Sequence, residues 1–291
     1  IGGVNGNSGN DWQDQDRADY YQLKTSQLDI RPVTVAYDAV NFSLIRDGGS
    51  VITDATAADL KKGYILTSAF EVRDITGTYG TDLLIGVERI NTNDGDLRIG
   101  MSYRVSDWDD DGVISEVGID GSAFADVIKA AESGGAVPRT YMSYQNWINA
   151  GSGDDDIYAG DGGDWIRVGA GDDFINGGAD GQEDQWGWVR KDEVRFDTTY
   201  NRFDVESVIW DGTATSIINT LGSVVFKIDS SGKILRNEGS SYRVLDVIEA
   251  GDRYTVVEDK LPNIEGLESE GLNLMINVEN LSFEDKWLAL E

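Results

Sequence analysis

Between Ala150 and Asn176 glycine and aspartate recur with a nine-residue period, in a pattern suited to gripping a hard cation with oxygen ligands. The three successive blocks read AGSGDDDIY, AGDGGDWIR and VGAGDDFIN. Their second and fourth positions are Gly151 and Gly153, Gly160 and Gly162, Gly169 and Gly171; the sixth are Asp155, Asp164 and Asp173; the eighth are Ile157, Ile166 and Ile175. A six-residue half rich in glycine can turn sharply and aim its carbonyls inward, while the remaining three residues form a strand with one apolar side chain pointing to the core. Two such blocks make one full coil, so stacked partners lie 18 residues apart. This pairs Asp155 with Asp173, and Asp164 with Asn146 of a degenerate leading block, YMSYQNWIN, that keeps Ile148 and caps the stack. Calcium, which takes six to eight oxygens, is the cation such a cage suits, and several ions are expected. A trailing block starts at Gly177 and breaks at Gln182, leaving Asp180 and Asp184 as further candidate ligands.

A second acidic loop starts at Asp107. Asp107, Asp109 and Asp111, then Gly112 and the carbonyl of Val113, fit the opening positions of a helix-loop-helix calcium loop. Its twelfth position is Gly118 where a bidentate Glu is expected, so Glu116 or Asp120 must complete the set. The apolar spacing of Phe124, Val127, Ile128 and Ala131 predicts a short helix over Ser122 to Ser133.

The elements that position these loops are strands. Runs such as 223–228 and 242–248 alternate apolar and polar residues. Related anchors recur at the two ends of the chain. Asp16, Ala18 and Tyr20 match Asp192, Val194 and Phe196, and Leu28-Asp29-Ile30 matches Phe203-Asp204-Val205. Val87-Glu88-Arg89-Ile90, Asp94 and Leu97 match Val278-Glu279-Asn280-Leu281, Asp285 and Leu288. The expected fold is mainly β: a short parallel β-roll carrying calcium, joined to two related β-rich modules, with a few short helices. The expected divisions are an N-terminal β module at 1–100, the acidic loop and helix at 101–140, the roll at 141–181 and a C-terminal β module at 182–291, packed as one body.

Composition narrows the function. With 24 Lys plus Arg against 53 Asp plus Glu, the net charge of −29 repels nucleic-acid phosphates and opposes compaction unless counter-ions are held at fixed places. A hydrophobic share of 40% with 10% aromatics favours a packed protein over an acidic disordered one. There is no apolar run long enough to cross a bilayer and no signal peptide, and the chain opens on Ile1, as a piece of a longer one would. Cysteine and histidine are both absent, which removes thiol nucleophiles, Ser-His-Asp triads and His-zinc sites. No spacing singles out a catalytic carboxylate pair, so no enzymatic activity is expected.

The nonapeptides at 150–176 resemble those of the RTX (repeats-in-toxin) family, acidic proteins that bacteria export by type I secretion. The flanks, with Asp192 to Phe196, Phe203 to Val205 and Val278 to Asp285, are similar to regions of large RTX adhesins. The resemblance implies a secreted, cell-surface protein that folds on meeting extracellular calcium, and a non-catalytic role in adhesion or biofilm. An alternative is a folding module of an exported enzyme or toxin whose catalytic unit lies elsewhere. Neighbouring domains of the same long chain are expected partners, as is an extracellular peptide or glycan, for which Trp108, Trp165 and Trp186 are candidate contacts; by alternation Trp165 faces outward.

Overall fold

The computed structural model describes residues 17–38, 43–44, 46–47, 50–51, 65–85, 87–100, 102–106, 116–130, 145–179, 189–260 and 269–290. The chain divides into two compact units, Ile1–Gly100 and Met101–Glu291. Both are built of strands. Among the described residues helix is confined to two three-residue 3-10 turns, Thr25–Gln27 and Tyr200–Arg202, and no helix is long and apolar enough to cross a membrane.

In the second unit the chain alternates between two parallel sheets. The first stacks Glu116–Asp120, Gln145–Asn149, Trp165–Arg167, Glu193–Arg195 and Asn280–Ser282, with antiparallel Ser102–Ser106 and Trp287–Ala289 at its edges. The second stacks Val127–Lys129, Asp156–Tyr158, Phe174–Asn176 and Leu272–Ile276, then continues antiparallel through Arg253–Asp259 to Phe203–Ile209. Each short strand contributes one inward residue. Ile119, Ile148, Ile166, Val194 and Leu281 lie in register along the first sheet, and Ile128, Ile157, Ile175 and Met275 along the second. Together they fill the space between the sheets, all fully or nearly fully buried. A three-residue strand turns its central residue to the core and its two neighbours to the opposite face.

Glycine is obligatory where the turns stack. A Cβ on Gly169 (φ +88) would lie 1.7 Å from the carbonyl oxygen of Gly151, and one on Gly178 (φ +100) would lie 1.8 Å from that of Gly160. Backbone therefore rests directly on backbone 18 residues away, with no room for a side chain.

The helix expected over Ser122 to Ser133 is replaced by the Val127–Lys129 strand, parallel to Asp156–Tyr158; residues 131–133 lie outside the described ones. The helical spacing of apolar residues was coincidental. Ile128 is fully buried while Val127 is 50% exposed, a period of two, and Asp126 is drawn into hydrogen bonding with the next coil.

A four-stranded antiparallel sheet, Thr215–Ile218, Val224–Ile228, Lys233–Asn237 and Tyr242–Val247, covers the outer face of the second parallel sheet. Phe174, Leu274 and Ile276 from the parallel strands pack there with Trp210, Phe226, Ile228 and Ile234. Leu272–Ile276, apolar on both faces apart from Asn273, is accordingly buried at every position, whereas Trp165–Arg167 in the first sheet is buried only at its centre. Among the described residues of this unit, no other sheet covers the outer face of the first.

The two units carry the same set of pairings at the repeated anchors. Ala18 lies opposite Ile90 in a parallel pair, and Ile90 opposite Leu97; Val194 lies opposite Leu281 in a parallel pair, and Leu281 opposite Leu288. Each 3-10 turn leads into a strand that begins opposite an aspartate, Leu28 with Asp74 and Phe203 with Asp259. An aspartate also clamps each turn: the Thr25 amide donates to Asp94 at 2.8 Å and the Tyr200 amide to Asp285 at 2.7 Å.

Candidate functional site

The aspartates of the nonapeptides form two ladders, one along each flank of the stacked coils. On one flank the amide of Asp126 donates to Oδ1 of Asp155 at 2.8 Å, and the amide of Asp155 donates to Oδ1 of Asp173 at 2.8 Å. On the other, the amide of Asn146 donates to Oδ1 of Asp164 at 2.7 Å, the amide of Asp164 to Oδ1 of Asp192 at 2.7 Å, and the amide of Asp192 to Oε2 of Glu279 at 3.0 Å. The expected pairs, Asp155 with Asp173 and Asp164 with Asn146, are thus in direct contact. Asn146 serves as a donor cap, giving its side-chain amide to Asp164 at 3.0 Å and to the carbonyl of Ala159 at 3.1 Å.

The second oxygen of each central rung is chemically exposed to nothing. Oδ2 of Asp155, Asp164 and Asp173 is buried and meets no hydrogen-bond donor among the described residues. Burial, reinforced by the Asp173 carboxylate, pushes the Asp155 carboxyl up to about 9. Burial pushes Asp164 up to about 8 against the opposing hydrogen bonds from Asn146, and holds Asp173 well above the ordinary range. Compared with a carboxyl in water, ionising either Asp155 or Asp164 inside the fold costs on the order of several kcal/mol, a large fraction of a domain's stability. Three neutral carboxylic acids at neutral pH, or a cation on each flank beside its carboxylates, are the two ways to resolve this.

The donor set fits a hard cation. Gly151, Gly153, Gly169 and Gly171 lie in the turns that carry Asp155 and Asp173, and Gly160 and Gly162 in the turn that carries Asp164, all six at positive φ. Among the described residues no three acidic side chains cluster as a side-chain metal site would need, so a cation held here would have to take most of its oxygens from main-chain carbonyls. Arg236, from the covering sheet, brings a fixed positive charge to the flank of Asp155 and Asp173. It donates to the carbonyls of Asp155, at 2.7 Å, and Asp172, and pairs with the buried carboxylate of Asp156 at 2.8 Å. Its charge lowers the Asp155 and Asp173 carboxyls without offsetting their burial.

Three ladder members were not among the expected ligands: Asp126, and Asp192 and Glu279, which the sequence marks only as anchors shared by the two ends of the chain. The first two share the Asp-x-apolar-x tetrad, as Asp126 to Lys129 and Asp192 to Arg195, but lie 29 and 28 residues from their partners instead of 18. Asp107, Asp109, Asp111, Val113, Asp180 and Asp184 lie outside the described residues, as do Trp108 and Trp186. Asp120 ends the Glu116–Asp120 strand within reach of the Asn149 amide, 3.4 Å away, on the open face and apart from the ladders.

That face carries the other concentration of unusual side chains. Trp147 and Trp165, opposite each other in register, are 37% and 39% exposed, with ring centroids 4.2 Å apart. A groove of about 420 Å³ runs beside them, bounded by Asp120, Asn149, Arg167 and Arg195 along one row and by Glu193 and Asp197 further on. Arg167 pairs with Asp197, while Arg195 forms no ion pair among the described residues.

No family model, no curated protein and no solved structure matches the chain.

Proposed function

We propose that this chain is a calcium-folded, non-catalytic domain of a secreted bacterial adhesin of the RTX type, and that its stacked coils are a short β-roll of that family. The observation that carries the reading is the buried, donor-less Oδ2 of Asp155, Asp164 and Asp173 beside stacked glycine turns. Asp155 and Asp173 with the carbonyls around Gly151, Gly153, Gly169 and Gly171 would hold calcium on one flank, and Asp164 with the turn of Gly160 and Gly162 on the other. Bound calcium supplies the positive charge that lets these carboxylates ionise inside the fold. Metal that binds the folded state alone adds its binding free energy to folding, so a chain of charge −29 would stay open where calcium is scarce and close outside the cell. The absence of His and Cys agrees with a binding or scaffolding role at the cell surface. Thermal melts in calcium and in chelator test the proposal: a large calcium-dependent rise in Tm is expected, and coincident melts would remove its basis.

A further inference from the structure

We infer that the groove beside Trp147 and Trp165 is a binding site for a neutral glycan, engaged through one or two hexopyranose rings; the inference rests on the adhesin reading above and names its ligand class. A pyranose presents an apolar face of C–H bonds and a rim of hydroxyls. The two indoles, tilted by 49° and packed against each other, leave part of their apolar faces exposed, and an exposed indole face binds such a C–H surface at little conformational cost. Their backs rest on the sheet, each strand held by ladders on both sides, so the platform is preorganised.

The rim of the groove supplies what hydroxyls need, which is acceptors and donors together. Asp120 and Glu193 accept, Arg195 donates, and Asn149 does both. Its volume, about 420 Å³, lies at the small end of ligand sites. Charge weighs most against an anionic ligand, which would meet Asp120, Glu193 and Asp197 on a chain of net charge −29, while a cationic one would meet the guanidinium of Arg195. A peptide binding by strand addition needs an open sheet edge, whereas Trp165 sits on a strand paired on both sides in the middle of its sheet.

The test is to screen the calcium-loaded chain on an array of neutral oligosaccharides ending in glucose, galactose, mannose or fucose, beside sialylated, uronic and peptide arms. The best neutral hit is then titrated by tryptophan fluorescence. Neutral hits are expected, with Trp165→Ala weakening the affinity at least about tenfold while the calcium-loaded Tm holds, and with Tyr242→Ala, exposed on the covering sheet, leaving binding unchanged. Hits confined to the anionic or peptide arms, no neutral hit, or binding that survives the Trp147→Ala, Trp165→Ala double variant would overturn the site. Melts in calcium and chelator on the same samples separate the two ideas. A calcium-dependent melt without neutral hits removes the glycan site alone, whereas Trp165-dependent glycan binding with a calcium-independent melt supports the groove and removes the calcium reading.

Discussion

Arg236→Met removes a guanidinium that is 5% exposed and holds three backbone or side-chain partners from the parallel coils. The carbonyls of Asp155 and Asp172 lose their donor, and the fully buried carboxylate of Asp156 loses one of its two cations. Breaking a buried pair from one side costs about 3–5 kcal/mol. Arg243 remains beside Asp156, though it is half solvated, which places the pair itself near the lower bound, while the stranded carbonyls add about 1 kcal/mol each. A loss of about 5 kcal/mol is expected, or a fall of about 15 °C in Tm for a unit of this size. Urea and thermal unfolding of the calcium-loaded chain read it, and a calcium titration should show folding at a higher midpoint concentration, since the guanidinium steadies the main chain beside Asp155 and Asp173. The double variant with Asp156→Leu removes both charges and should cost less than the sum of the singles. A single-variant shift under about 2 °C, or strict additivity of the pair, would refute the assignment of Arg236 as the clasp between the covering sheet and the coils.

In chelator the stability of the second unit should fall as pH rises from about 4 to about 9: the Asp155 and Asp164 carboxyls bind protons more tightly folded than unfolded, so every proton lost across that window favours the open chain, and Tm against pH with and without calcium would show a slope that calcium abolishes. Burial likewise pushes Glu270 up to about 7, so Glu270→Gln should raise stability by up to about 3 kcal/mol at pH 8 and not at pH 4, measured by denaturant midpoints. Gly169→Ala should destabilise by at least about 3 kcal/mol, because its Cβ would strike the Gly151 carbonyl, whereas Gly222→Ala, at a similar φ of +81 with nothing within 4 Å, should cost about 1 kcal/mol; equal effects would contradict the stacked turns.

What was legible in the sequence follows from how local its cause is. The nonapeptide turns are readable because a positive φ and a backbone-on-backbone contact leave glycine as the residue that fits, and because the Ile of each three-residue strand has one core to face. The repeated anchors foretold equivalent pairings in the two units, down to Asp94 and Asp285, since each satisfies a turn amide close to a strand end. Asp126 and Asp192 were hidden by long insertions, as spacing carries the ladder signal and their intervals of 29 and 28 residues are not multiples of nine. The strand at Val127–Lys129 reads as helix in the sequence because four apolar residues, Phe124, Val127, Ile128 and Ala131, are too few to separate the two periods over so short a span. Arg236 reaches Asp156 across 80 residues, and nothing in local sequence signals such a contact.

The ladders also have a direction. In every rung the donor is the earlier residue and the acceptor the later: Asp126 to Asp155, Asp155 to Asp173, Asn146 to Asp164, Asp164 to Asp192, Asp192 to Glu279. Main-chain bonds between the same coils run the other way, from the amides of Asp156, Phe174, Glu193 and Asn280 to the carbonyls of Asp126, Asp155, Asp164 and Asp192. Each of these aspartates therefore gives its own amide to the next coil's carboxylate and takes an amide from that coil on its own carbonyl, so a rung is a reciprocal latch that neither coil can complete alone.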